Sequence, residues 1–527
     1  MSAVDLPHQR VPTGRDDIDG TGETGRSVPT GALQRAARSS AVWSVLVCIA
    51  LGALSAAVLP TVPSYDPWSW IIWGREITDP HISFIISGGP SWKPLPFIFT
   101  TIWGAFGSAA PTLWVITARI GGLLGLVAAW RLAYNLAGST DGERGGLMLN
   151  PPALAAGVIA VAGVLLTQDW FYYFLHGTSE TLLIGCSLWA VDRIVEGKRV
   201  QAWWLMVAAT WIRPEWLAPE VLYGAWLIWR DPKFRTWPML AMFGIGLASF
   251  PIAWFVPPWI GSGDAFLAAS HAAEYNGNLG PHPFIAVNSR GINDQVLPIL
   301  AFGIAGFVIG ALKDRRGLVL GLGLGAALYY VVVVVETLKG YPGLERFFLP
   351  AASLICVLGG YGMVRLAQLA RELVSARVTT ANAGTIAAVA LFVVLAGASV
   401  PFITTRISEA RADFPQASLA VTTSNQMTKV AAAVGGRNGV FPCKTSFSAV
   451  NHGVQSEMAW KLKVPLERVG TVMSQPGVDF IGPHNSVTGS AAPVDPRLTH
   501  QQVIARLDGW VVVRQTTPGL SQACDGR

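Results

Sequence analysis

Charged residues are scarce in this chain of 527 residues: Asp, Glu, Lys and Arg make up only 13%, whereas 51% of residues are hydrophobic. Soluble domains usually carry about 25% charged residues, so the composition excludes an ordinary soluble protein. The Lys and Arg residues lie between apolar runs, not along one face, and the net charge is only +6. No nucleic-acid partner is therefore expected.

The short motifs that mark common catalytic sites are also lacking. The sequence has no phosphate-cradling Walker motif, no GxGxxG that opens a helix after a strand, no HExxH and no paired CxxC. Any chemistry must therefore depend on isolated polar groups that the fold brings together. A divalent cation is possible, but no motif assigns ligands to it.

Long hydrophobic runs, by contrast, are abundant. A bilayer span needs roughly 20 mostly apolar residues, and the chain offers about eleven such runs between residues 41 and 402. Basic residues recur in alternate connections, at 196–199, 230–235, 313–316 and 371–377, as the positive-inside rule requires of cytoplasmic loops. The sequence predicts an all-α polytopic protein of the cell (plasma) membrane with a cytoplasmic N-terminus.

The two ends of the chain differ from this apolar centre. Residues 1–40 are polar and have no apolar periodicity, which predicts a disordered cytoplasmic arm. Residues 41–403 form the predicted transmembrane domain. Residues 404–527 have ordinary polarity and include a strand-like run at 509–514, which predicts a small α/β soluble domain outside the cytoplasm.

Two of the five cysteines, Cys443 and Cys524, fall in this C-terminal domain. An extracytoplasmic compartment is oxidising, so the sequence predicts a Cys443–Cys524 disulfide. The other three cysteines lie in predicted spans and are expected to pack in the core.

An acidic residue, Asp66, follows the first predicted span and precedes an aromatic segment that contains Trp68 and Trp70. One interpretation is structural: Asp66 caps a helix that has Pro67 in its first turn, and the Trp residues form an interfacial belt. The other is that this segment forms part of a site. The local sequence leaves both open.

Cationic residues also occur at the predicted outer face, where Lys93 follows Trp92 and where Arg213 and Arg346 stand at helix ends. Charges at this depth are costly unless they face a cavity or a partner. Arg213 has Glu215 nearby, and Arg346 has Glu345 or Glu336, so structural ion pairing is the alternative to a binding role.

A long outer loop, 261–293, contains His271, Tyr275 and Asn276. Such side chains suit sugar hydroxyls, and long loops are often functional lids. A merely solvated connector fits the same length equally well.

The order of these elements resembles the C-superfamily glycosyltransferases, polytopic enzymes that use polyprenyl-phosphate sugars. They include protein O-mannosyltransferases, aminoarabinose transferases and actinobacterial arabinosyl- and mannosyltransferases. Lys93-Pro94-Leu95-Pro96 resembles the His-Pro-Pro-Leu motif of their first outer loop, with Lys93 in place of His. The segments 119–126, 211–215 and 345–350 resemble later elements of the same module, so the resemblance covers about residues 41–366.

This resemblance implies transfer of a sugar, mannose or arabinofuranose, from a polyprenyl-phosphate donor to an envelope glycan, lipid or protein, with inversion. Asp66 would be the catalytic base. The donor phosphate would bind the cations Arg346, Arg213, Lys93 and Arg119. Substrate would contact Tyr65, Trp68, Trp70, Glu76, His271, Tyr275 and Asn276.

Two other classes of function remain open from the sequence. A transporter or flippase commonly shows two similar halves, and no internal repeat is visible here. An envelope assembly scaffold would tolerate free substitution of Asp66.

Overall fold

The computed structural model describes residues 30–86, 90, 92–138, 150–274, 279–443 and 445–517, except for the side chains of 30–40 and 272–274. Residues 30–40 belong to the first helix, whereas the sequence predicts an unstructured arm as far as residue 40. The rest of the arm lies outside the described residues.

Each of the eleven predicted spans is helical, but not every helix is long enough to cross a bilayer. Six helices have the length and hydropathy of a span, and two bent pairs bring the number to eight among the described residues. The single helices are α1 (Thr30–Val58), α4 (Ala110–Gly138), α10 (Trp237–Ser262), α14 (Gly317–Leu338), α15 (Leu349–Ser375) and α16 (Ala383–Ala433). The polytopic helical fold is thus confirmed with fewer full-length spans than predicted.

The bent pairs correspond to predicted spans 3 and 8. Helices α5 (Pro151–Leu165) and α6 (Trp170–His176) meet at 71°, and α12 (Pro283–Asn293) meets the helix that follows it at 91°. That following helix is α13 (Leu297–Val308), continued by a π-helical turn to Lys313. The three remaining predicted spans are α7 (Ser179–Val195), α8 (Arg199–Thr210) and α9 (Leu217–Arg230). At 1.5 Å rise per residue, these are too short to cross a hydrocarbon core of about 30 Å alone.

Helix α15 is the centre of the helical region. The apolar stretch of α15 is 89% buried, and it packs against α4, α5, α13, α14 and α16. In contrast, the apolar stretch of α16 is 6% buried, as expected of a helix whose side chains contact lipid.

The segment between the first two long helices lies against the rest of the protein through α2 (Tyr65–Thr78) and α3 (Pro94–Gly104). The two helices touch backbone to backbone, because a Cβ on Gly74 would lie 2.4 Å from the carbonyl carbon of Thr100. The Thr100 hydroxyl donates to the Trp70 carbonyl at 2.7 Å. Only glycine permits this approach, which fixes the position of the helix that carries Asp66.

The C-terminal region contains a five-stranded mixed sheet with helices on it, which confirms the small α/β domain. The strand order is β2-β1-β3-β5-β4, with β1 parallel to both β2 and β3. The strands are β1 (Phe447–Val450), β2 (Val469–Gly470), β3 (Gly477–Ile481), β4 (His500–Leu507) and β5 (Trp510–Thr516). The helices beside the sheet are α17 (Gly436–Val440) and α18 (Gln455–Leu462). A separate short helix, α11 (Leu267–Glu274), lies in the long loop after α10.

The predicted domain limit at 403/404 falls inside α16, one continuous helix of 51 residues. Its apolar first part is followed by a polar part that reaches the sheet. Buried tryptophans of α2 share one hydrophobic cluster with Phe480 and Trp510 of the sheet. The C-terminal domain therefore rests directly on α2.

Candidate active site

A cavity of about 820 Å³ lies where α2, the break between α5 and α6, and the loop before α15 meet the C-terminal domain. Its wall combines charged, aromatic and apolar side chains. The charged and polar ones that matter below are Tyr65, Asp66, Lys93, Asp169, Arg213, His271, Arg346, Asp413, Gln416 and His452. Five residues predicted from distant parts of the sequence, Tyr65, Asp66, Lys93, Arg213 and Arg346, thus share one wall, and His271 joins them.

Asp66 lies in the first turn of α2, but it is not the helix cap. Ser64 occupies the N-cap position, and Pro67 follows in the first turn as predicted. The Asp66 carboxylate instead accepts a hydrogen bond from Arg346, with Oδ2 3.1 Å from Nη1. The capping interpretation is therefore wrong, and the side chain is directed toward a cation on the cavity wall.

Arg346 reaches the cavity from a short 3-10 turn, Glu345–Phe347, that precedes α15. Burial lowers the pKa of Arg346, but the Asp66 and Glu180 carboxylates outweigh this effect and raise it above its usual value. The alternative pairing of Arg346 with Glu345 is wrong, because Glu345 pairs with Arg290 at 3.3 Å.

Glu180, in the first turn of α7, links the cations and was not singled out from the sequence. Its Oε1 lies 3.4 Å from Lys93 Nζ, 3.1 Å from Arg213 Nη2 and 4.0 Å from Arg346 Nε. The Glu180 side chain is 1% exposed. A carboxylate at the start of an apolar helix is costly without partners, and that cost was the signal available in the sequence.

Arg213 is held between an anion and a ring. In addition to Glu180, it pairs with Glu215, with Nη1 3.6 Å from Oε1, as one interpretation predicted. Its guanidinium carbon also lies 4.0 Å from the centre of the Phe347 ring, a favourable cation–π distance. These contacts fix the guanidinium at the wall.

Both signs of charge occur on the cavity wall. Lys93, Arg213 and Arg346 line the cavity together with the carboxylates of Asp66, Asp169, Glu345 and Asp413. Glu180 and Glu215, which pair with the cations, lie behind the wall with side chains 1% exposed. Within the described residues, the buried Nε atoms of Arg213 and Arg346 have no hydrogen-bond acceptor. Three cations at one wall are suited to an anionic group such as a phosphate.

Several residues predicted for the site lie away from the cavity, which corrects their assignment. Arg119 is buried and donates to the carbonyls of Pro60, Phe174 and Leu175 at 2.6–3.1 Å, so it braces the chain after α1. Trp70 belongs to the hydrophobic core, and Trp68 packs against Trp460, with ring centroids 6.0 Å apart and planes tilted by 39°. These side chains support the wall from behind.

Glu76 is likewise internal. Burial raises its pKa to about 8, although the Ile85 N–H donates to Oε2 at 3.0 Å and partly offsets the rise. Its position at the far end of α2 separates it from Asp66 by almost three helical turns, so it anchors the following loop.

The long loop contributes one of its three predicted residues. His271, in α11, lines the cavity. Tyr275 and Asn276 lie outside the described residues. The sequence did not single out Asp169, Asp413, Gln416 and His452, which reach the cavity from helix breaks, from α16 and from the C-terminal domain.

Two further predictions concern metals and cysteines. Among the described residues, no group of three or more His, Cys, Asp or Glu is placed to hold a metal ion. Cys443 is disulfide-bonded, and Cys48, Cys186 and Cys356 are free and buried. Because Cys524 lies outside the described residues, its pairing with Cys443 stays a prediction.

Comparison with known proteins gave structural similarities only: no family model and no curated protein matches the chain. The chain is similar to a crystal structure of ArnT from Cupriavidus metallidurans bound to undecaprenyl phosphate, with 15% identity and a TM-score of 0.49, covering 90% of this chain and 98% of that one. The apo state of the same protein gives 16% identity and a TM-score of 0.48, covering 91% and 98%. Function is therefore inferred from the cavity and its residues.

Proposed function

We propose that this protein is an integral membrane glycosyltransferase that moves a sugar from a polyprenyl-phosphate donor to an acceptor hydroxyl. The observation that carries the proposal is that one cavity wall contains the Asp66 carboxylate and three cations, Lys93, Arg213 and Arg346, of which Arg346 contacts Asp66. The resemblance of the sequence to C-superfamily glycosyltransferases supports the same chemistry.

In the proposed reaction, the acceptor oxygen attacks the anomeric carbon and the bond from that carbon to the phosphate oxygen breaks. The bonding electrons leave with the polyprenyl phosphate, whose developing charge the cations stabilise. Asp66 takes the proton of the attacking hydroxyl. A single displacement inverts the configuration at the anomeric carbon.

The pair between Asp66 and Arg346 places the proposed base next to one of the phosphate-binding cations, with Oδ2 3.1 Å from Nη1. A phosphate bound to Arg346 would compete with Asp66 for the guanidinium, and the carboxylate would then be free to accept a hydrogen bond from the attacking hydroxyl.

The sugar, the acceptor and the orientation are proposed from the sequence. Mannose and arabinofuranose are the sugars that the resemblance favours, and envelope glycans, lipids or proteins are the acceptors. The alternating basic loops support a cytoplasmic N-terminus and an extracytoplasmic C-terminal domain.

The direct test is donor cleavage by the purified full-length protein in nanodiscs that contain polyprenyl-phosphate-linked [¹⁴C]mannose or [¹⁴C]arabinofuranose. The wild type should release polyprenyl phosphate, and addition of envelope extract should move label into a non-lipid product. In a parallel liposome assay, movement of intact donor between leaflets without any cleavage would identify a flippase and contradict the proposal.

Arg346→Lys should weaken donor binding by about 10- to 100-fold, because one ammonium cannot reproduce the two parallel hydrogen bonds of a guanidinium to a phosphate. Titration of the reconstituted protein with polyprenyl phosphate measures this. Arg290→Lys is the matched control, since Arg290 pairs with Glu345 and lies outside the cavity wall. If Arg346→Lys binds polyprenyl phosphate with wild-type affinity, Arg346 serves only as the ion-pair partner of Asp66 and does not bind the donor phosphate.

Lys93 should make donor binding depend on pH. Burial lowers the pKa of Lys93 to about 8, although Glu180 opposes part of this shift. As pH rises from 7 to 9, the ammonium loses its proton and the donor KM should increase. In Lys93→Arg the guanidinium stays charged over this range, so the increase should disappear. If the donor KM of the wild type and of Lys93→Arg depends on pH in the same way, Lys93 does not bind the phosphate.

A further inference from the structure

The C-terminal domain is fastened to α2, the helix that carries Asp66. Arg75 of α2 donates to the carbonyls of Trp460 and Val464 at 3.1 and 2.9 Å. These two hydrogen bonds attach the C-terminal end of α18 to α2. The hydroxyls of Ser69 and Ser456 lie 2.8 Å apart. The position of the soluble domain relative to Asp66 is thus set by buried polar contacts along one helix.

At the cavity end of this contact lies His452. It begins a short 3-10 turn, His452–Val454, directly after the parallel strand β1. Ligands of parallel sheets commonly bind outside the carboxyl ends of the strands. The His452 side chain is exposed and lines the cavity.

His452 is also held in a defined orientation against Tyr65, the residue that precedes the proposed base. Its ring is stacked on the Tyr65 ring, with centroids 5.8 Å apart and planes 14° apart, and the Tyr65 hydroxyl donates to Gln455 Oε1 at 2.9 Å. Tyr65 directly precedes Asp66 in the chain. Asp66 therefore has Arg346 as its cationic neighbour, and the residue before it, Tyr65 of α2, makes the ring contact to His452 of the C-terminal domain.

The proposed reaction needs two chemically different environments around the anomeric carbon. The leaving phosphate requires cations, and an inverting displacement brings the attacking hydroxyl to the opposite face of the sugar ring. The cations come from the helical region, whereas the C-terminal domain contributes to the wall an imidazole, which donates to and accepts from hydroxyls.

We propose that His452 binds the acceptor and that the acceptor is a carbohydrate, held at the carboxyl end of β1 so that its hydroxyl reaches Asp66. This assignment rests on the proposed glycosyltransferase function. The stacked Tyr65 and His452 rings, together with the amide of Gln416 on the same wall, provide a flat apolar face next to hydrogen-bonding groups, a combination suited to a sugar.

The test uses the full-length protein in nanodiscs with polyprenyl-phosphate-linked mannose or arabinofuranose as donor and octyl mannoside or octyl arabinofuranoside as acceptor. His452→Phe keeps a ring against Tyr65 but removes both ring nitrogens. It should raise the KM for the octyl glycoside about tenfold, the effect of one lost hydrogen bond. The donor KM and the slow hydrolysis of donor by water should not change.

A control variant separates the role of His452 from that of any histidine in the domain. His484→Phe changes a histidine that follows β3, contacts the Gly489 carbonyl at 2.9 Å and lies outside the cavity wall, and it should leave every kinetic constant unchanged.

Each other outcome has a distinct meaning. If His452→Phe lowers the melting temperature and kcat without changing the acceptor KM, His452 is structural and the proposal fails. If the wild type cleaves donor but the octyl glycosides do not accelerate cleavage, while a Ser- and Thr-containing peptide does, the carbohydrate assignment is overturned. If the wild type cleaves no donor at all, the proposed function itself fails.

Discussion

Asp66→Asn should lower the rate of sugar transfer at least about a hundredfold, the low end for loss of a general base. Asn has nearly the same size and accepts a hydrogen bond from Arg346, but it cannot take a proton at neutral pH. Donor binding should be retained or become tighter, because Arg346 no longer pairs with an anion. Single-turnover transfer and polyprenyl-phosphate binding, measured on the same preparation, separate these two effects.

Asp169→Asn is the matched control for this experiment. Asp169 is a second carboxylate on the cavity wall and has a left-handed backbone, with φ of 57°. Asn tolerates this conformation well, so the variant should fold and retain transfer within about tenfold. Near wild-type transfer by Asp66→Asn, with a large loss in Asp169→Asn, would move the base to Asp169.

Glu180→Gln should destabilise the protein by about 3–5 kcal/mol, the usual cost of removing one partner from a buried ion cluster. Its carboxylate lies within 3.4 Å of both Lys93 and Arg213, and without it these largely buried cations of the cavity wall repel each other. Thermal unfolding of the reconstituted protein measures the loss.

An anionic ligand gives this prediction a second, more specific readout. Polyprenyl phosphate should raise the melting temperature of Glu180→Gln more than that of the wild type, because the phosphate supplies the missing negative charge. Glu220→Gln is the control, because Glu220 is also a buried carboxyl but accepts a hydrogen bond from the neutral Thr210 hydroxyl at 2.7 Å. Equal ligand shifts in both variants would show that the cations do not bind phosphate.

Hydropathy alone predicted much of the helical architecture, because the bilayer requires long apolar segments whatever their partners. It overestimated the number of complete spans, since α7, α8 and α9 are apolar but short. Helix α7 is apolar because most of it is buried among other helices, whereas α9 leaves Leu222 and Trp229 exposed. Hydropathy does not distinguish burial in protein from contact with lipid.

Four of the charges that line the cavity were visible in the sequence because charge at the predicted outer face is rare. Asp66, Lys93, Arg213 and Arg346 stood out for this reason, and they share one wall. Arg119, which the family resemblance added to the candidate set, instead donates to backbone carbonyls. The free-energy cost of a charged side chain near the membrane indicates that it has a partner. It does not indicate whether that partner is a substrate or another part of the chain.

The sequence by itself determined the membrane class, the soluble C-terminal domain and a short set of candidate ions, since each follows from local composition. Only the tertiary structure decided which ions face the cavity, that Glu180 holds the cations from behind, and that His452 reaches Tyr65 across almost 390 residues. These facts depend on contacts between distant segments, such as the approach of α2 to α3 at Gly74 and the docking of α18 by Arg75. Composition and periodicity describe neighbours along the chain, whereas a site is formed by neighbours in space.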